Sequence, residues 1–349
     1  MPIKRPDAIR LVLVLVLSCA AITAPIALAG MADHRGAGHR LQSARSAAIY
    51  RRSMSDTRPT GNAGSTDNSG SPGLPSPRAH ASIIGGAVAQ TGSFPSLAYI
   101  VDFQGRFAYQ CTGTVVAPSL VLTAGHCVEN MQSGAAFSPS GFRVVTGAVD
   151  PLLPGDTIST VLGVIVYPGL QRRVDKGDAA LLVLSTPIAA PAIELASAPS
   201  AKRLVAGVPA TIVGWGKTAY DQASLTEELQ SAATVVQGRK WCRSNAPPFY
   251  AQSEICTIAP PSYGTGVCQG DSGGPLLASG PSGAPIEIGI ADHVYGRCST
   301  RHPSVFASVG SIASWIRTWI TAYKRSPTPS VPAPPPTLPT GPGTQPAPS

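Results

Sequence analysis

Gly270-Asp271-Ser272-Gly273-Gly274-Pro275 sets one hydroxyl among glycines, an acid and a proline. Even in a chain of 349 residues with 36 glycines, this hexapeptide is not a product of composition. The glycines let the backbone turn tightly, so that the N–H groups of Gly270 and Ser272 can point at one oxygen. Such an oxyanion hole is worth roughly 3 to 4 kcal/mol per donor. A serine hydroxyl is a poor nucleophile at its free pKa and needs an adjacent base. His126, in Thr123-Ala124-Gly125-His126-Cys127, is the candidate base. Asp178, in Gly177-Asp178-Ala179-Ala180-Leu181-Leu182, is the candidate that fixes the tautomer of His126 and stabilises its imidazolium. Taken singly, a His after Ala-Gly is usually structural and an Asp before an apolar strand is usually a cap. Asp271 raises a separate question, because an unpaired carboxylate beside the nucleophile is expensive to bury.

The ends of the chain have other compositions. Residues 1–29 carry Lys4, Arg5 and Arg10 ahead of an apolar run from Leu11 to Leu17 and finish on Ala27-Leu28-Ala29. This reads as a secretory signal peptide cut after Ala29. The alternatives are an uncleaved membrane anchor over Leu11–Gly30 and, more weakly, a lipoprotein through Cys19. Residues 30–82 are rich in Ser, Gly, Ala, Arg and Asp, with too little apolar surface to offset ordering entropy, and read as a disordered linker or propeptide. Residues 326–349 hold 10 prolines and no charge, the composition of an extended polyproline tail that serves as a spacer or contacts a cell wall or partner.

Between these ends, residues 83–325 carry short β-branched runs such as Thr114–Val116, Val161–Val166, Ala180–Leu184, Ala210–Val213 and Ile286–Ile290, separated by Gly, Pro and Ser. The pattern predicts an all-β sandwich or barrel. Ile312, Trp315, Ile316, Trp319 and Ile320 fall at helical spacing and predict one closing helix with an apolar stripe that docks on it.

With His, Asp and Ser in that order, the chain closely resembles the trypsin/chymotrypsin family of serine endopeptidases from Ile83 to the closing helix. The resemblance implies two six-stranded antiparallel Greek-key β-barrels, a site between them holding His126, Asp178 and Ser272, and protein or peptide substrates. It makes Ile83-Ile84-Gly85-Gly86 an activated N-terminus whose α-ammonium pairs with Asp271 after a cut between Ser82 and Ile83, so that the chain is made as a zymogen. Six cysteines remain once Cys19 leaves with the signal, and by themselves they allow fifteen connectivities. The family pattern pairs Cys111 with Cys127, Cys242 with Cys256, and Cys268 with Cys298. Closing these loops contributes about 3 kcal/mol each in the chain-entropy account.

By the same resemblance Gly266 and Val267 lie at the base of the primary specificity pocket, where an Asp would select Lys or Arg. Val294 and Ser304 stand where the family usually has glycines and narrow the pocket, favouring Ala, Val, Ser or Thr before the scissile bond. One methylene discriminates by about 1 to 3 kcal/mol, so this is a preference. Such a pocket accepts Ser82, so the precursor can process itself. Two departures stand out. Asp292-His293-Val294 replaces the more usual Ser-Trp-Gly, bringing a carboxylate near Asp178 with His293 as its candidate cation. Gly125 replaces a more usual Ala, at no expected cost to the mechanism.

The net charge of +8 raises nucleic acid or anionic membrane as a partner. Divided along the chain, the signal carries +2, residues 30–82 carry +4 and the rest +2, so that argument loses its footing. No nucleic acid, metal or cofactor is expected, and membrane contact only if the signal is kept as an anchor. A secreted monomer is the expectation. The competing class is an inactive homologue that uses the fold as a binding module, which the intact His126, Asp178 and Ser272 disfavour.

Overall fold

In a computed structural model that describes residues 83–325 except 105–106, 152, 154–155, 198–205, 222–224 and 226, the β-branched runs become strands. In chain order these are β1 (Ala87–Val88), β2 (Leu97–Gln104), β3 (Phe107–Ala117), β4 (Leu120–Thr123), β5 (Phe142–Thr146), β6 (Thr157–Val166), β7 (Ala180–Leu184) and β8 (Glu194–Leu195). They continue as β9 (Pro209–Gly214), β10 (Gln230–Val236), β11 (Glu254–Ile258), β12 (Pro275–Ser279), β13 (Pro285–Val294) and β14 (Ser304–Ser308). Two α-helices, α1 (Arg239–Asn245) and α2 (Val309–Arg325), and two 3-10 turns, Gly125–Cys127 and Pro139–Gly141, complete the described elements. The signal at 1–29, the linker at 30–82 and the tail at 326–349 lie outside the described residues.

Six strands close into a barrel in the order β2-β3-β4-β7-β6-β5, and six more close in the order β9-β10-β11-β14-β13-β12. Counted from its own first strand, each ring runs 1-2-3-6-5-4 with antiparallel neighbours, so the two barrels share one Greek-key winding. Closure removes sheet edges that would otherwise template aggregation. β10 alternates, with Gln230, Ala232, Thr234 and Val236 buried, as expected of a strand with one face to the core. β4 and β7 are buried along their whole length, which is why Leu120–Leu122 and Ala180–Leu184 are apolar without a break, while the buried Thr123 hydroxyl donates to the Thr112 carbonyl. On α2, Ile312, Ile316 and Trp319 are buried and Trp315 and Ile320 half-buried, so the apolar stripe docks on the body. Trp315 meets Tyr167 edge-on with ring centroids 5.2 Å apart, tying α2 to the connection between β6 and β7.

The barrels are joined by polar contacts as well as by apolar packing. The Thr114 hydroxyl on β3 donates to Glu287 Oε2 on β13 at 2.6 Å, and Ile193 N–H donates to the Val115 carbonyl. Glu287 is fully buried, and burial pushes its carboxyl from the ordinary 4.5 up to about 8, against the lowering effect of the Thr114 hydrogen bond. The folded state therefore holds this proton more tightly than the unfolded state does. Its contribution to stability is complete below the ordinary value and erodes as pH rises toward about 8. Glu287→Gln keeps an acceptor for Thr114 and has no proton to lose. Its Tm relative to the parent should rise between pH 5 and pH 8.5, and a pH-independent difference in thermal unfolding would count against this account.

Candidate active site

His126 sits in a single 3-10 turn, Gly125–Cys127, that follows β4, and Asp178 precedes β7. β4 and β7 are hydrogen-bonded neighbours, with Thr123 opposite Ala180, so the barrel itself brings these two residues together. Asp178 is fully buried and engages His126 twice: Oδ1 accepts the backbone N–H at 2.8 Å and Oδ2 accepts Nδ1–H at 2.5 Å. This fixes the orientation of the ring and leaves Nε2 clear of Asp178. Burial alone would lower the pKa of His126, but the Asp178 charge and hydrogen bond, then the charges of Asp292 and Asp175, hold it up at about 9.

Ser272 comes from the second barrel and reaches this turn across the interface. Thr112 N–H on β3 donates to the Ser272 carbonyl at 2.8 Å, and the sulfur of disulfide-bonded Cys127 lies 3.7 Å from the same oxygen. Gly273, at φ +79°, presses on the His126 loop so closely that a Cβ there would stand 2.1 Å from Thr123 Oγ1 and 2.8 Å from Ala124 N. Only glycine fits. The Gly270 carbonyl accepts from the Thr112 hydroxyl and Gly273 N–H donates to the Ala291 carbonyl, which pins the turn from both sides. Among the described residues, no hydrogen bond occupies the N–H groups of Gly270 or Ser272.

Asp271 is buried, with Oδ1 accepting Gly216 N–H and Oδ2 accepting Cys268 N–H, each at 2.8 Å. Burial raises its pKa to about 7, more than these two hydrogen bonds lower it. Ile83 is also fully buried, and Ile84 forms a two-hydrogen-bond bridge with Gly266. In this uncut chain the Ile83 nitrogen is an amide, and no ion pair joins it to Asp271 among the described residues. The pairs Cys111–Cys127, Cys242–Cys256 and Cys268–Cys298 are all bonded.

Val294 and Ser304 face each other across β13 and β14, and Ser304 Oγ accepts the Val267 N–H at 3.3 Å. A Cβ on Gly266 would lie 3.5 Å from Thr300 Cγ2 and 3.6 Å from Ser304 Oγ. Gly266, Val267, Val294 and Ser304 are thus contiguous. Thr300, which no motif flagged, joins them because the Cys268–Cys298 bridge folds its loop back.

A Cβ at Gly125 would lie 2.7 Å from Leu170 Cδ2 and 2.9 Å from Asp178 Oδ1, so here it is alanine, not the glycine, that would press on the carboxylate holding His126. One expectation needs correction. His293 is a poor cation for Asp292. Its Nδ1 stands 3.3 Å from Asp292 Oδ1 without hydrogen-bond geometry, and burial lowers its pKa while its Nε2 is shared with the Tyr295 hydroxyl at 2.9 Å. One donor atom from each of His126, Asp178 and Asp292 lies within 4.8 Å of the others. These are ligand types for a divalent ion, but His126 Nδ1 and Asp178 Oδ2 are already engaged with each other in a 2.5 Å hydrogen bond.

Comparison with known proteins gives one answer. A family model described as Trypsin matches residues 83–316. A trypsin from Saccharopolyspora erythraea is 31% identical over 229 residues, covering 66% of this chain and 94% of its own. Trypsin delta of Drosophila melanogaster is 26% identical over 244 residues, 69% of this chain and 89% of its own. Serine protease 56 of Mus musculus is 27% identical over 263 residues, 72% of this chain and 41% of its own.

Proposed function

The chain belongs to the trypsin family and is a serine endopeptidase; from that premise we propose that His126, Asp178 and Ser272 are its catalytic triad. The observation that carries this is the double grip of Asp178 on His126 beside the Ser272 turn. Ser272 Oγ attacks the scissile carbonyl as His126 Nε2 takes its proton, and the Nδ1–H stays with Asp178. The developing oxyanion receives the N–H groups of Gly270 and Ser272. His126 then returns the proton to the leaving amine, and water activated by the same base releases the acyl group. A fluorophosphonate probe on the mature chain should label Ser272 and no other serine; an unlabelled, folded protein would support the binding-module alternative instead.

The enzyme is made as a precursor, secreted, and cut between Ser82 and Ile83. Three disulfides suit an oxidising compartment. The buried Asp271, with a pKa lifted to about 7 in the absence of a cation, awaits a positive partner. An α-ammonium released at the buried Ile83 is that partner, and pairing with it restores the carboxylate charge and orders the oxyanion loop. Substrates are proteins or peptides cut by a monomer, and the tail is a spacer or contact element.

Ser304, packed beside Gly266 and opposite Val294, supports a shallow pocket that takes small or aliphatic residues before the scissile bond. Replacing Ser304 with glycine should raise kcat/KM for a leucine substrate relative to an alanine substrate by about tenfold, the worth of one or two methylenes. An unchanged ratio on a peptide library would remove Ser304 from the pocket.

A further inference from the structure

We propose that Asp292 is a positioning residue for this active site: it stands as a neutral carboxylic acid whose O–H is given to the Asp178 carboxylate, extending the Asp178–His126–Ser272 array by one member. The inference rests on the triad reading above, and its own observations are geometric. β13 carries a bulge between Ala291 and His293, which oppose Phe306 and Val305 on β14, so Asp292 is the extra residue. A bulge re-aims the side chain it carries. Here it turns a carboxylate that would otherwise follow the strand pleat toward Asp178 and His126, with donor atoms of the three residues within 4.8 Å.

The side chain of Asp292 is 1% exposed and that of Asp178 is 0% exposed. Two buried carboxylates at this separation do not both ionise without a matching cation. One cation faces Asp292, His126, and it is committed to Asp178. Asp178, Glu254 on β11 and Asp175 in the loop before β7 are acids, Tyr295 is a phenol, and burial lowers the pKa of His293. Asp178 uses its two oxygens on His126, whereas Asp292 Oδ2 has no hydrogen-bond partner among the described residues. The proton belongs on Asp292, where burial first and the Asp178 charge second raise the pKa well above that of an ordinary aspartate. A neutral Asp292 also removes one of the charges that hold His126 protonated, making the imidazole available as a base nearer neutral pH.

The test uses the mature enzyme, with Asp292→Asn and Asp292→Leu compared by active-site titration, thermal unfolding and pH profile. Asparagine supplies an N–H donor of the same shape and no charge, as the neutral acid does. The acid limb of kcat/KM, which reports His126, should therefore stay within about 0.3 pH unit of the parent, and the rate at neutral pH within about threefold. Leucine has no donor, and its kcat/KM should fall about tenfold, the worth of one hydrogen bond to a charged group. The infrared difference spectrum of parent minus Asp292→Asn should contain the carbonyl stretch of a protonated carboxylic acid. If Asp292 is instead ionised, removing its charge moves the acid limb down by about one unit or more and the band is absent, and either result overturns the proposal. So does a leucine variant that matches the asparagine one. If the leucine variant does not fold, the acid limb and the infrared band of Asp292→Asn decide alone. Failure of the triad reading shows separately, as a parent enzyme that fluorophosphonate does not label at Ser272.

Discussion

Ser272→Ala is expected to lower kcat by about 10⁶-fold, because loss of the nucleophile removes the acyl-enzyme route and leaves only binding and oxyanion stabilisation. Stability should barely change: Ser272 is half-buried, its carbonyl still accepts from Thr112 N–H, and Gly273 still fills the gap against Thr123. A variant with parental Tm, parental affinity for a peptide inhibitor and a residual rate near one millionth meets the expectation. A loss of only a few fold would mean that another residue attacks the carbonyl. The same variant, expressed as precursor in a protease-deficient host, tests maturation. If self-processing after Ser82 is correct, it stays uncut, whereas a mature Ile83 N-terminus would assign the cut to another protease. Arg78, four residues upstream, is the competing site for a basic-specific protease.

Asp178→Asn carries the second large effect, about 10⁴-fold in kcat. The carboxylate accepts both the backbone N–H and the Nδ1–H of His126, and an amide accepts through only one of its two ends. The imidazole then either rotates or adopts the tautomer in which Nε2 carries the proton and cannot take one from Ser272. The pKa of His126, held at about 9 chiefly by Asp178 against its burial, falls with the loss of that charge. The acid limb of the residual activity should therefore move to lower pH. The parent loses activity as pH falls through the raised value, and the variant loses it only at a lower pH. A variant that keeps the parental limb would show that Asp178 does not face the base.

How much of this was readable beforehand differs from element to element. Val161–Val166 and Ala180–Leu184 were legible as strands because β-branched and apolar runs between turn residues have few other uses, and Ala180–Leu184 is β7 residue for residue. The stripe on α2 was legible because three- and four-residue spacing leaves one apolar face. The two-residue strands β1 and β8 carry no periodic signal, and pairing them needs partners over a hundred or about ninety residues away in β10 and β13. Thr300 came to stand beside Gly266 unannounced for the same reason, since its loop is closed by the Cys268–Cys298 disulfide.

The local sequence alone determined which chemical groups this protein has to work with: a serine among glycines, a histidine, an aspartate, six of its seven cysteines between positions 111 and 298, and an extra acid at position 292. Those are properties of residue type and short spacing, and short spacing survives in any fold. The tertiary structure decided which of them meet. Strand pairing between β4 and β7 joins residues 52 apart in the chain, and packing of one barrel on the other brings Ser272 to a loop 145 residues away. The fold likewise sets Asp292, the extra residue of a bulge in β13, with its carboxylate close to Asp178 and His126, a meeting that no local spacing announces because 114 residues separate positions 178 and 292.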